Sequence, residues 1–262
     1  MSTFAMHVAK TGLNSQQVKM QVIANNLANV NTTGFKSDRA NFESLLYQIL
    51  RGAGENTSEN TSLTSGLSVG TGTRLLNTSK LFTQGSLIDT GNSLDMAVEG
   101  DGFFQVLMPD GQIGYTRSGA FSRNAEGVVT TASGYPLQPE IQIPEDATSI
   151  NVSSDGIVTV QLHGAAEAEE VGQSTLADFP NKQGLQPNGE SMLMETAASG
   201  APIIANPFQE GMGRLVQGAV ESSNVNVVQQ LVDMIETQRA YEVSSKTITS
   251  VDEMMRYIAQ NL

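Results

Sequence analysis

The sequence predicts an α+β protein in which two long terminal helices pair and carry an inserted antiparallel β domain, reached through an extended linking stretch. Apolar residues recur at helical spacing near both ends, and short β-rich runs with turn signals fill the middle. Residues 52–73 are dominated by Gly, Ser, Thr and Asn, which is typical of an extended or flexible segment. The 262 residues are 39% apolar and 16% charged, so the chain can bury a core.

The N-terminal pattern predicts a helix. Its apolar line alternates steps of three and four residues, with one polar member, Gln16, and Gly34 supplies a terminating turn. The apolar members of this line are Met6, Ala9, Leu13, Met20, Ile23, Leu27 and Val30.

The C-terminal pattern predicts a longer helix, because neither Gly nor Pro occurs in residues 225–262 and Asn224 can cap the first turn. Apolar residues recur every seven positions, with Leu231 on a companion line that is otherwise mixed. The members of the pure line are Val227, Met234, Tyr241, Ile248, Met255 and Leu262. A long helix with a narrow apolar stripe needs a partner for that stripe in water.

The region between the helices predicts a β domain with Gly-rich turns. Pro109-Asp110-Gly111 indicates a hairpin, and residues 124–127 and 153–156 carry similar turn signals. The predicted organisation is therefore a helix over 1–34, an extended stretch over 35–92, a β-rich domain over 93–205, a return segment over 206–226 and a helix over 227–262.

Composition argues against most catalytic and nucleic-acid functions. The chain has no Cys, no Trp and only two His, His7 and His163, and its net charge of −13 opposes binding to phosphate backbones. The carboxylates Glu99, Asp101 and Asp110 lie in ordinary Gly-containing turn sequences rather than in an acid/base pair. We therefore predict no catalytic, cofactor or metal site. No signal peptide or 18-residue apolar run is visible, so no membrane insertion is predicted.

The two apolar lines predict an assembly surface. An intramolecular hairpin between the terminal helices is one interpretation, but the C-terminal helix is longer and would leave apolar residues uncovered. A head-to-tail contact with further copies would cover them and grow into a helical filament. We expect this surface to comprise both apolar lines, Leu231 included.

Three strings resemble the bacterial flagellar rod and hook axial proteins. They are residues 25–36, residues 102–106 with 115–119, and residues 221–227 with 234–242, in the order typical of that family. Length and the segment over residues 46–72 are most similar to the distal rod branch. The residues that carry the terminal motifs are Asn25, Asn26, Asn29, Thr32, Gly34, Phe35, Lys36, Asn224, Arg239 and Tyr241.

The resemblance implies a non-enzymatic subunit of the distal rod, a stiff helical homopolymer that transmits torque from motor to hook. The implied partners are further copies, the proximal rod proteins, the hook protein, the surrounding ring and the flagellar type III export apparatus. The implied location is the basal body, from the periplasm to the outer membrane, reached without a cleaved signal peptide. The terminal segments would fold on assembly, and residues 46–74 would wedge between subunits.

Three alternatives remain at this point. A proximal rod or hook subunit would carry the same family motifs. A secreted β-rich adhesin or binding module would need a recognition patch on the β domain, and a carbohydrate-active enzyme would need convergent carboxylates there.

Overall fold

The computed structural model describes residues 2–52, 56–58, 61–62, 64–164 and 167–260. The chain forms two compact units. The helical unit comprises Met1–Ala28, Asp38–Ser79 and Asn226–Leu262, and the β unit comprises Asn29–Ser37 and Lys80–Val225. The predicted α+β class, with a helix near each end and antiparallel strands between, is confirmed.

The helical unit is built on two long helices that contact each other, α1 (Ser2–Ala28) and α2 (Val227–Gln260). The first helix ends earlier than the 1–34 range that the sequence suggested. After Ala28 the chain turns, and the Thr32 amide donates to the Asn29 carbonyl oxygen at 3.2 Å. Gly34 has φ of 68°, a left-handed conformation that suits glycine, so it completes this turn rather than ending the helix directly.

The cap of α2 differs from the prediction. Asn226, not Asn224, precedes the helix, and its side-chain oxygen accepts from the Gln229 amide at 3.2 Å. Asn224 was the wrong choice because its side chain is bonded to other parts of the β unit, described below. Both asparagines have the chemistry of a cap, and only the tertiary contacts separate them.

A nested β ribbon completes the helical unit. The first of its six strands pairs with the sixth. The second runs antiparallel to the fifth, and the third runs antiparallel to the fourth. The strands are β1 (Asp38–Ser44), β2 (Tyr47–Arg51), β3 (Asn56–Ser58), β4 (Thr61–Ser62), β5 (Leu67–Gly70) and β6 (Thr73–Lys80). Part of the expected linking stretch is thus a regular ladder, because backbone pairing satisfies its amides and carbonyls although its side chains are polar.

The ribbon packs on α1 at Gly72. A Cβ atom there would lie 2.1 Å from the Thr11 hydroxyl oxygen, and Gly72 has φ of 118°. Next to it, the Ser15 and Thr73 hydroxyls are hydrogen bonded at 2.9 Å. Gly72, in the Gly70-Thr71-Gly72 sequence, therefore allows the ribbon to approach α1 closely.

The β unit consists of short antiparallel strands. Its largest sheet has the order β13-β9-β10-β19-β18, a second has β14-β15-β16, and four two-stranded pairs are β11-β12, β17-β20, β21-β8 and β22-β7. The bounds are β7 (Leu87–Asp89), β8 (Met96–Glu99), β9 (Phe104–Leu107), β10 (Ile113–Thr116), β11 (Phe121–Arg123), β12 (Val129–Thr131), β13 (Leu137–Gln138), β14 (Ala147–Val152), β15 (Ile157–Leu162), β16 (Glu169–Gln173), β17 (Leu176–Asp178), a 3₁₀ turn (Lys182–Gly184), β18 (Gln186–Gly189), β19 (Met192–Met194), β20 (Ile203–Ala205), β21 (Arg214–Gln217) and β22 (Ala219–Glu221).

The turn chemistry that the sequence indicated is present. Gly111, with φ of 80°, closes the β9–β10 hairpin, and its amide donates to the Met108 carbonyl oxygen at 2.9 Å. Gly127 does the same between β11 and β12, donating to Asn124 at 3.1 Å. Positive φ at both positions favours glycine, so these two hairpins follow from local sequence.

Two apolar clusters form the core of the β unit. The larger covers one face of the main sheet, through Phe104, Val106, Leu137 and Met192, and its Phe104 and Phe121 rings lie edge to face at 5.1 Å. The smaller centres on Phe103, Tyr115 and Phe179, with the last two rings 4.7 Å apart. Residues 206–226, expected to be a return segment, contribute β21 and β22 to this unit, paired with β8 and β7.

Candidate assembly surface and chain-crossing site

The apolar line predicted on α1 lies on a face of this helix that is partly covered. Ile23 is buried, and the neighbouring members of the line are half-buried: Met6, Ala9, Leu13, Met20 and Leu27. Val30 lies beyond α1, in the turn that belongs to the β unit. A half-buried apolar line is what a helix presents when one neighbour covers part of its stripe.

The predicted line on α2 divides into two parts. Val227 and Leu231, in its first turns, are exposed, whereas Met234, Tyr241, Ile248 and Met255 are half-buried. Leu262 lies outside the described residues.

A second apolar face of α2, which the sequence analysis missed, is exposed. Val228 is 71% exposed and Ile235 is 52% exposed, and other members are also open to solvent. These members are Val232, Val243, Met254 and Tyr257. The prediction followed the seven-residue repeat that begins at Val227. It did not include Val228 and Ile235, which are also seven residues apart.

The ribbon carries a third exposed apolar group. Leu46 is 87% exposed, and the side chains of β2 lie open on both faces. The large apolar residues of this group are Leu46, Tyr47, Ile49 and Leu50, with Leu67 on β5. Large apolar side chains left this exposed on a single chain are typical of interaction surfaces.

Asn26, from the first family string, ties three elements of the helical unit together. Its side-chain amide accepts from the Asp38 amide at 2.8 Å and donates to the Asp38 carbonyl oxygen at 2.8 Å. It also donates to the Gln230 side-chain oxygen of α2 at 3.2 Å. Asn26 is buried, so this polar group is fully used in joining α1, β1 and α2.

The β unit contains a buried charge cluster, which we call the Glu221 cluster: Lys36, Arg117 and Glu221. The Lys36 ammonium lies 2.5 Å from Glu221 Oε1, and an Arg117 nitrogen lies 3.4 Å from Glu221 Oε2. All three side chains are buried, with Glu221 fully so. The three residues come from the three separate family strings of the sequence.

Every charged group of the cluster has further partners. Lys36 donates to the Thr83 carbonyl oxygen at 2.8 Å, and the Gly85 amide donates to Glu221 Oε1 at 2.8 Å. Arg117 donates to the Val98 and Gly100 carbonyl oxygens at 3.2 and 2.6 Å. These bonds allow charges to be buried that would otherwise be strongly unfavourable.

Burial and pairing act in opposite directions on the two cations. Burial lowers the pKa of Lys36 below its ordinary value, and the hydrogen bond and charge of Glu221 oppose that shift. Burial likewise lowers the pKa of Arg117, again opposed first by Glu221. Glu221 is therefore the group that most favours the charged forms of both buried neighbours.

Gly34 is required by the same site. Its amide donates to the Glu221 carbonyl oxygen at 2.8 Å, and a Cβ atom would lie 2.4 Å from the Ser118 backbone nitrogen. The Thr33 and Ser118 hydroxyls are hydrogen bonded at 3.0 Å beside it. The first family string is thus held against the end of β10 by backbone contact.

The Asn224 side chain links its own segment of the β unit to Ser37 and to residues 81–83. It accepts from the Ser37 amide at 2.8 Å and donates to the Leu81 and Thr83 carbonyl oxygens at 2.7 and 3.1 Å, and to the Thr83 hydroxyl at 2.9 Å. An amide that uses both its donors and its acceptor in this way acts as a structural bridge.

The remaining motif residues lie in both units. In the β unit, Thr32 donates to the Asn29 side chain at 3.2 Å, and the Lys80 ammonium lies 5.3 Å from the centre of the Phe35 ring. In the helical unit, Asn25 is on α1, while Arg239 is exposed and Tyr241 half-buried on α2. The sequence did not identify Glu221 and Arg117 as the partners of Lys36. The available signal was that each of the three family strings contains one of these charged residues, two basic and one acidic.

The carboxylates considered for acid/base chemistry do not converge in the β unit. Glu99 pairs with Arg214 at 2.7 Å, and Asp101 pairs with Lys182 at 2.5 Å. Asp110 accepts from the Gln112 amide within its turn at 3.1 Å. Within the described residues, no group of three or more histidine or acidic side chains is placed to hold a metal ion.

Three sequence profiles match the chain in order. They are described as "Flagella basal body rod protein" for residues 6–36, "Flagellar hook protein FlgE/F/G D1 domain" for residues 97–160 and "Flagellar basal body rod FlgEFG protein C-terminal" for residues 216–261. The matched regions contain most of α1, strands β9 to β14 of the β unit and α2. The fold and the matched regions thus define the class of flagellar rod and hook proteins.

Relatives identify the family within this class. The chain is 50% identical over 256 residues to the flagellar basal-body rod protein FlgG of Buchnera aphidicola subsp. Schizaphis graminum, covering 98% of both chains. It is 43% identical to FlgG of Agrobacterium fabrum, covering 98% and 99%, and 34% identical to FlgG of Bacillus subtilis, covering 94% of each. The chain belongs to the FlgG family of flagellar basal-body rod proteins. In the described residues, neither helix is both long enough and apolar enough to cross a membrane.

Proposed function

We propose that the chain is a structural subunit of the distal rod, whose copies polymerise through the helical unit into a stiff helical tube. This tube transmits torque from the motor to the hook. The observation that supports the proposal most directly is the exposed apolar face of α2, because Val228 and Ile235 are only partly covered in the single chain. The family supports the same role.

The assembly contacts would be formed by the predicted apolar line of α1, the predicted apolar line of α2 and the second, exposed apolar face of α2. In this proposal, Met234, Tyr241 and Ile248 pack in coiled-coil fashion against Met20 and Ile23 of the same and neighbouring copies. Full burial of one large apolar side chain contributes about 1.5–3 kcal/mol. Tens of such contacts per copy would offset the entropy lost when the terminal segments become ordered on assembly.

The proposed contacts are heterologous, since a helix face on one copy meets a different face on the next. Where the rotation between successive copies does not close into a ring, such contacts generate a helical array, and this is the geometry proposed for the tube. The helical unit would form the inner tube and the β unit an outer layer, in a non-enzymatic subunit.

The proposed partners follow from this role: further copies, the proximal rod proteins, the hook protein, the ring around the rod and the flagellar type III export apparatus. The proposed location extends from the periplasm to the outer membrane, and export would occur without a cleaved signal peptide. No nucleic acid, membrane insertion or cofactor enters the proposal.

The location of the labelled chain in purified basal bodies tests the proposal. A label on the β unit should lie in the rod segment next to the hook, as seen by electron microscopy. A label in the hook or in the segment next to the motor would favour another subunit of the same class. Absence from basal bodies, combined with ligand binding by the chain alone, would favour an adhesin.

The ribbon is proposed to stiffen the tube by wedging between copies, because its exposed apolar residues need cover. Replacing Leu46, Ile49 and Leu50 with Thr should preserve the β2–β5 pair, since these side chains are exposed and the strands pair through their backbones. We expect rods from this variant to bend more easily, measured as a shorter persistence length in electron micrographs. An unchanged persistence length would contradict the wedge.

A further inference from the structure

The β18–β19 hairpin forms one edge of the main sheet of the β unit, because β18 is the outermost strand. All four residues of β18 are exposed. Pro187 and Gly189 pair with consecutive residues of β19, so Asn188 between them is the extra residue of a β-bulge. The extra residue of a bulge is unpaired, and the ladder therefore holds Asn188 less firmly than its neighbours.

The turn that follows Asn188 is strained. Gly189, Glu190 and Ser191 have φ of 87°, 50° and 59°, all in the left-handed region. That region suits glycine, whereas glutamate and serine adopt it rarely. Gly189 also forms the last pair of the ladder, with Met192. A last pair beside a strained turn opens most readily, because few contacts hold it and opening releases the strain.

Asn188 and Gly189 form the single Asn-Gly pair in the 262-residue sequence. An asparagine before a glycine is chemically labile, because the next backbone nitrogen can reach the side-chain Cγ and glycine has no Cβ atom to obstruct it. A Cβ atom built at Gly189 would meet nothing within 4 Å, so the space beside this peptide is open.

The Asn188 carboxamide is held weakly. Its nitrogen lies 3.7 Å from Met108 Sδ, and a thioether sulfur is a weak acceptor. By contrast, the Asn124 side-chain oxygen accepts from two backbone amides of its own turn, at 3.0 and 2.8 Å. Bonds of that kind fix a carboxamide in place, whereas the sulfur contact leaves the Asn188 carboxamide freer to turn toward the Gly189 nitrogen.

We propose that Asn188 is a site of spontaneous deamidation. The Gly189 nitrogen attacks Asn188 Cγ and closes a cyclic imide. The bond from Cγ to the side-chain nitrogen breaks, and that nitrogen leaves as ammonia with the proton of the Gly189 amide. One water molecule then opens the imide at either carbonyl, which yields aspartate or isoaspartate. The net change converts an amide and water into a carboxylate and ammonium, so no oxidant or reductant is required.

Either product places a negative charge on the open edge of the main sheet, two residues from Glu190. Charges on an edge strand oppose pairing with a strand of another molecule. Isoaspartate also adds one carbon to the backbone before Gly189 and so displaces this residue in the ladder. Deamidation therefore makes the edge less able to pair with other chains. The inference concerns β18 and β19 alone and depends neither on the helical unit nor on polymerisation.

The test follows the full-length monomer in neutral buffer at physiological temperature. Trypsin releases residues 183–214 as one peptide, because Lys182 and Arg214 are the nearest basic residues on either side of Asn188. Mass spectrometry of this peptide detects the exchange of an amide nitrogen for oxygen, and fragmentation locates it. The peptide contains its own control, Asn206, which precedes Pro207 and therefore faces a backbone nitrogen that has no proton to lose.

We expect Asn188 to lose its amide at least about tenfold faster than Asn206, with isoaspartate among the products. Asn188→Gln, whose longer side chain must close a larger ring, should stay unmodified at this position over the same period. A rate at Asn188 less than about tenfold above that at Asn206 would overturn the proposal.

The same incubation in guanidinium chloride gives the rate at Asn188 in the unfolded chain. We expect the rate in the folded chain to lie within about tenfold of it, because the bulge and the strained turn leave the site open. If the folded rate were lower than that, the hairpin would shield Asn188 and the inference would be wrong.

Discussion

Glu221→Gln is expected to lower the free energy of unfolding of the β unit by about 3–5 kcal/mol, the range for breaking a buried ion pair from one side. The substitution preserves shape but leaves Lys36 and Arg117 as two buried cations without an anion. The amide would also place its two hydrogens against the Gly85 amide or the Lys36 ammonium, which are themselves donors.

The measurement is urea unfolding of the full-length monomer, followed by the near-ultraviolet circular dichroism of its tyrosines. Glu99→Gln is the matched control, because its ion pair with Arg214 is substantially exposed and should contribute at most about 1 kcal/mol. If both substitutions lowered the free energy of unfolding equally, the Glu221 cluster would stabilise the β unit no more than an exposed ion pair does, and the prediction would be wrong.

Ile235→Asp is expected to block polymer growth while leaving the β unit folded. Ile235 is half-exposed in the single chain, so a carboxylate there remains hydrated until a second copy covers it. Because about half of the side chain remains to be buried, the lost apolar burial is about 0.8–1.5 kcal/mol, which predicts a rise of the critical concentration by at least about 4- to 12-fold. Burial of the new charge would raise it further.

Sedimentation and electron microscopy of concentrated protein would measure this effect, with circular dichroism as the check on folding. Ser133→Asp introduces the same charge at an exposed polar position of the β unit, away from the apolar faces of α2, and should leave assembly nearly unchanged. Met234→Asp, on the half-buried line, should also block assembly while the β unit remains folded. Normal polymers from both Ile235→Asp and Met234→Asp would contradict the proposed surface.

The local patterns predicted well wherever a short stretch decides its own conformation. Both helices, the Pro109-Asp110-Gly111 hairpin and the Asn124 turn are present, since each depends on periodicity or on turn residues a few positions apart. The cap of α2 was assigned to the wrong asparagine, because Asn224 and Asn226 are equivalent until their distant partners are known. The ribbon was missed as a ladder because cross-strand pairing leaves little trace in a sequence rich in Ser and Thr.

The sequence by itself determined the α+β class, the two long helices with apolar lines, the absence of cysteine and the family motifs. Only the tertiary structure decided what the motif residues do. Lys36 and Glu221 are 185 positions apart, and no periodicity relates them. The reason is physical: a helix or a turn depends on neighbours along the chain, whereas a buried charge depends on whichever distant group excludes water from it and supplies the opposite charge.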